Sequence, residues 1–169
     1  MENLPQMHVA SLSLQERRNE SWPPPPEIVT AIDSHDSIEK IKGLLLSGAD
    51  PNTKDFDGAP IIYDAVLMGF TEAVELLLRH GAKTDYRDSD GACLLECVVV
   101  SANPSLRIVR ALLRHGMTVS KSLIHAARTE LQFASVKTYL RRHDILQILE
   151  RWVHEREMAR AYQTLRFVR

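Results

Sequence analysis

Apolar positions along this chain recur three and four residues apart, in short runs broken by polar, glycine-bearing segments. "TEAVELLLRHG" (71 to 81) sets Ala73, Val74, Leu77 and Leu78 on one helical face, and "APIIYDAVLMG" (59 to 69) supplies a shorter apolar helix before it. Thr71 is read as the N-cap of the second helix. Gly81 is read as its stop, because glycine enters the left-handed region without a Cβ clash. "LLRHG" recurs letter for letter at 112 to 116. The Arg-His pair ahead of each glycine suits a helix carboxyl end, where the macrodipole favours cations and carbonyls await donors. A helix-terminal role explains the duplication without a duplicated reactive site.

The same punctuation appears upstream. Gly48 and Gly81, Ala49 and Ala82, Asp55 and Asp88, Asp57 and Asp90, Gly58 and Gly91, and Ala59 and Ala92 are all offset by 33. Gly116 follows Gly81 by 35, so two residues are inserted around "SANPS" (101 to 105), near Asn103 and Pro104. "DFDG" and "DSDG" carry turn chemistry, with side-chain oxygens able to bond nearby backbone N–H groups. A helix pair plus a turn at this period predicts a stacked repeat array.

On these residues the chain resembles the ankyrin-repeat family. Asp57, Gly58, Ala65, Gly69, Glu72, Val74, Leu76, Leu77, Leu78, Gly81 and Ala82 match its pattern in identity and spacing. The family's Thr-Pro-Leu-His signature is replaced by "PIIY" (60 to 63) and "CLLE" (93 to 96), which removes the usual Thr and His bonds between repeats. The resemblance implies an all-α repeat solenoid: an ankyrin stack of about four helix-turn-helix units with short β-turn or hairpin tips and a C-terminal capping helix. Residues 1–26 are read as a mobile tail whose prolines 23 to 26 form a stiff spacer. The repeat domain spans 27–143, with a cap unit at 27–56, repeats at 57–89 and 90–121, and a degenerate unit at 122–143 that has a truncated approach from Gly116. Asp144 is read as the N-cap of a separate capping helix within 144–169, fraying from 164.

With 44% hydrophobic and 25% charged residues in 169, the chain has the composition of one globular domain plus tails. No apolar run reaches the ~18 residues of a membrane span, and the amino terminus lacks a signal-peptide pattern. An intracellular location, cytoplasmic and/or nuclear, is expected, with no membrane partner. The two cysteines, Cys93 and Cys97, are expected as packed thiols in a reducing compartment rather than a disulfide. Net charge is -1, yet residues 27–90 hold 13 acidic and 6 basic side chains and residues 91–169 hold 6 and 13. The folded body is therefore expected to be electrically polar.

No G-x-S-x-G, glycine-rich phosphate loop or H-E-x-x-H occurs, and Cys93-x3-Cys97 lacks a following histidine pair. Catalytic residues, cofactor and metal are expected to be none. Asp55, Asp57, Asp88 and Asp90 read as turn residues, since their spacing is not that of a calcium loop. The basic segment "YLRRH" (139 to 143), with Glu150, Glu155 and Glu157 further on, reads as a solvated helix face with intrahelical pairs. Direct nucleic-acid binding is not expected.

The leading expectation is a non-enzymatic adaptor or scaffold, monomeric alone, that binds a protein through its turn tips and concave face. Phe56 and Tyr86 are the tip aromatics, readable equally as interface anchors or as packing against a neighbouring turn. The resemblance places Asp64, Met68, Cys97 and Ser101 toward the groove. The runner-up is a transcriptional co-regulator acting through a DNA-binding partner, in control of a biosynthetic pathway; a third reading is the regulatory subunit of an enzyme.

Overall fold

The computed structural model describes residues 26–166, so the amino-terminal tail up to residue 25 and the last residues, 167–169, lie outside the described residues. Four helix pairs follow in chain order: α1 (Glu27–Asp33) with α2 (Ile38–Leu46), α3 (Ile61–Leu67) with α4 (Thr71–Arg79), α5 (Leu94–Val100) with α6 (Leu106–Arg114), and α7 (Lys121–Gln132) with α8 (Val136–Arg166). First helices pack on first helices, and second helices on second helices, so the pairs form two parallel rows. α5 begins 33 residues after α3 and α6 begins 35 after α4. The two-residue insertion therefore lies in the loop between α5 and α6.

Each tip is a small hairpin pinned by one bridge, Lys54 to Pro60 and Arg87 to Cys93. Within it Asp55 Oδ1 accepts from Ala59 N–H at 2.8 Å, and Asp88 Oδ1 accepts from Ala92 N–H at the same distance. The repeated aspartates thus set the repeated turns. Gly81 and Gly116 follow their helices at φ 90° each, the conformation that a side chain resists. His115 Nδ1 meets the Ala111 carbonyl at 2.9 Å, giving the second "LLRHG" histidine its helix-terminal role.

Thr71 is not the N-cap. Phe70 holds that position with no side-chain bond, and Thr71 is the first helical residue, its hydroxyl 3.2 Å from that of Ser105 at the start of α6. Serine caps appear instead at Ser37, Ser105 and Ser120, each accepting from a backbone N–H of the first turn. Ladders between units extend this pattern. Asn52 Oδ1 accepts from Lys83 N–H at 2.8 Å, and Arg107 on α6 reaches Glu72 and Glu75 on α4 at 3.1 Å each.

The signature positions that depart from the family pattern carry contacts of their own. Glu96 accepts from Cys93 N–H at 2.9 Å, which closes a capping box, and meets the Ser122 hydroxyl of the next unit at 3.5 Å. Tyr63 lies edge-on to Tyr86 of the following tip, with ring centres 5.0 Å apart. A polar link has been replaced once by another polar link and once by an aromatic pair.

The carboxyl end differs most from expectation. No helix starts at Asp144: α8 runs unbroken from Val136 to Arg166, so the second helix of the last pair and the cap are one element. Neither glycine nor proline interrupts that stretch, and Asp144 simply lies inside it. Glu150 pairs with Arg128 of α7 at 2.7 Å rather than along its own helix. The basic segment is not wholly a solvated face, since the Arg142 side chain is only 10% exposed. It pairs with Glu130 of α7 and donates to the Val99 and Ser101 carbonyls at 3.0 and 3.1 Å. Arg141 reaches Asn103 in the inserted loop. Ile145, Leu146 and Leu149 then bury their side chains in the core.

Replacing Arg142 with Leu removes a buried cation, leaving Glu130 unpaired and two carbonyls without a donor. A loss of roughly 2–4 kcal/mol is expected in urea unfolding, read as a lower midpoint. Arg128→Leu, at a pair 61% and 42% exposed, should cost less than ~1 kcal/mol. Equal midpoints for the two variants would remove Arg142 from its anchoring role.

Candidate partner-binding surface

Because the first helices lie side by side, residues at equivalent stations form a strip across the units. Asp33 ends α1, Asp55 sits in the first tip and Asp64 lies within α3. Burial, then the charges of Asp55 and Asp33, raise the Asp64 carboxyl from 3.8 to about 7. Asp33 is raised in the same sense by burial and by Asp55. Asp64 Oδ2 is buried and has no hydrogen-bond partner. The strip thus holds a carboxyl that ionises reluctantly and that an incoming cation would stabilise.

Asp88 carries the strip into the next unit. Its Oδ1 takes the N–H groups of Asp90 and Ala92, and its Oδ2 lies 3.8 Å from the Cys97 sulfur. Burial, followed by Asp88, pushes the Cys97 thiol up to about 11. Cys93 is also raised, first by burial. A nucleophilic cysteine needs the opposite shift, toward thiolate near neutral pH. Both cysteines are free thiols, with Cys93 at the N-cap of α5 and Cys97 buried inside it.

The residues singled out in the sequence divide by exposure. Phe56 at the first tip is 53% exposed and Met68 at the end of α3 is 44% exposed. Tyr86 instead packs on Tyr63, so the two tip aromatics have different surroundings. Asp64 sits between these extremes. Cys97 is buried, and Ser101 at the end of α5 donates to the Val98 carbonyl at 2.9 Å. The structure brings Asp64, Tyr86 and Cys97 into one electrostatically connected strip, since Asp64 and Cys97 both raise Tyr86 after burial, Asp55 and Asp88 do so. Asp33 and Tyr63 belong to it as well. Tyr63 was visible as the last letter of a departed signature, whereas Asp33 had no local signal, because its importance depends on Asp55 and Asp64.

The raised Asp64 group gives stability a pH signature. Its folded-state value lies above that of the unfolded chain, so its favourable contribution is complete below about pH 4 and is lost as pH rises through about 7. Asp64→Asn should match the parent near pH 4, pull ahead of it progressively between pH 4 and 7, and exceed it by roughly 1–2 kcal/mol at pH 8, less than the full shift implies because water screens a half-buried group. Urea unfolding across that range checks the sign; a gain that is independent of pH would count against the reading.

Residues 28–123 match the family described as ankyrin repeats, in 3 copies. Over 85 residues the chain is 24% identical to the E3 ubiquitin-protein ligase KEG of Arabidopsis thaliana; that stretch covers 50% of this chain and 5% of the ligase. Among the described residues no helix is long and apolar enough to cross a membrane. With the helix-pair rows, the hairpin tips and a family match over more than half of its residues, this chain belongs to the ankyrin-repeat family.

Proposed function

We propose that this protein is a non-enzymatic adaptor that holds a protein partner against the tips and concave face of its first three units. Ankyrin repeats are interaction modules, and the stack consumes its apolar helix faces while leaving this surface open. The observation that carries the reading is that Phe56 and Met68 are exposed on the same unit as Asp64, whose carboxyl is crowded by Asp55 and whose buried Oδ2 has no hydrogen-bond donor on it among the described residues. Exposed apolar side chains supply anchoring area, and the acidic strip favours a partner that presents lysine or arginine. Tyr86 and Cys97 serve by position: the first backs Tyr63, and the second approaches Asp88. Ser101 closes the end of α5 beside this surface. The ligase activity named for the relative belongs to a protein of which this chain covers 5%, so it supports no activity here.

Capture of partners from the native cell with the full chain tests this. Phe56→Ala with Met68→Ala removes exposed side chains and should leave the thermal midpoint unchanged while weakening the captured partner by about tenfold or more, as expected for loss of an interface anchor. Undiminished capture by a folded double variant would place the contact elsewhere.

A further inference from the structure

At the opposite end of the stack, α7 and the outer half of α8 enclose an open groove of about 760 Å³. Its floor is apolar, with half-buried Ile124, Trp152 and Val153 exposing part of their surface to it. Its rim is cationic. Lys121, Arg128, Arg156 and Arg160 line it against Glu150 and Glu157. Glu150 is already engaged by Arg128 at 2.7 Å, and the Arg156 guanidinium lies 3.9 Å over the Trp152 ring. The groove therefore combines an aromatic platform with a surplus of positive charge, in the half of the chain that carries the basic excess.

We infer that this groove is a second docking site, for an acidic peptide segment that carries an aliphatic anchor. Charge complementarity selects the occupant: carboxylates meet Lys121 and Arg156, while an aliphatic side chain covers Ile124 and Val153 beside Trp152. The interleaved glutamates argue against nucleic acid, because a phosphate backbone carries charge at every step and would meet Glu150 and Glu157. The floor is suited to an aliphatic side chain rather than to evenly spaced phosphates. This surface is separate from the concave face, so the adaptor has two binding surfaces of opposite chemistry.

The chain contains two tryptophans, Trp22 and Trp152, so Trp22→Phe in the full protein leaves Trp152 as the emission reporter. The probe is a blocked glutamate–leucine heptapeptide, and the control carries glutamine at every glutamate. A saturable change in Trp152 emission with the acidic probe, matched by calorimetry, is expected. Lys121→Gln with Arg156→Gln, both at exposed positions, should weaken the calorimetric affinity by about tenfold or more with an unchanged thermal midpoint. Asp64→Asn should leave probe affinity unchanged, which keeps this result independent of the concave-face reading. Equal binding of the glutamine control, tighter binding of a single-stranded oligonucleotide, or an emission change caused by self-association without the probe would each overturn the proposal.

Discussion

None of the first three helix pairs is long enough to be stable by its own means, and much of the structure follows from that. The first helices through α5 have seven residues and their partners have nine, shorter than the ~12–15 at which an isolated helix becomes even marginal in water. Ile32, Ile61 and Leu94 along one row, and Ile41, Leu77 and Leu112 along the other, are fully buried only because consecutive pairs press together. Burial between neighbours is therefore the cohesive force, and a repeat offset is how the sequence keeps those faces in register. The aspartate turns matter for the same reason: they return the chain to the next first helix at a fixed height.

The fourth pair is built differently from the first three. Its second helix has 31 residues, of which the first part completes the pair and carries Arg142 back to the carbonyl end of α5. The two extra residues between the units make that loop long enough to offer Asn103 to Arg141. An irregularity in the period has become the seat of the closing helix. Arg142 also explains how a charged residue can be nearly buried: a carboxylate and two carbonyls share its guanidinium, although its Nε lacks a partner.

The parts legible in the sequence are those in which one residue's identity decides its local geometry. Gly81 stops a helix wherever it stands in such a context, and Asp55 makes its turn with a backbone N–H four residues on, so an offset of identities could be read as an offset of structures. Family membership and the helix-pair stack were recoverable on that basis. What could not be read depends on distant partners. "YLRRH" looks uniformly solvent-facing until Val99, Ser101 and Glu130 are brought around Arg142. Asp144 before an apolar run resembles an N-cap, but the preceding turn was already helical, and a carboxylate inside a continuing helix has no cap to make. The candidate site was legible in outline only. Phe56 and Tyr86 both read as tip aromatics, and the ring opposite Tyr86 sets their surroundings apart.

The uneven charge finally acquires a spatial meaning. The acidic strip of Asp33, Asp55 and Asp64 lies on the first units, and the cationic groove lies beyond α7, so the excesses counted along the chain face different surroundings. A linear stack suits such a division, because each unit touches only its neighbours and one end can be shaped without disturbing the other. The helices α5 and α6 pack between them and join the two ends. Two partners bound at once would each raise the effective concentration of the other's ligand, over a distance set by the units between them. On the adaptor proposal, holding partners at a set separation is the way the stack acts on them.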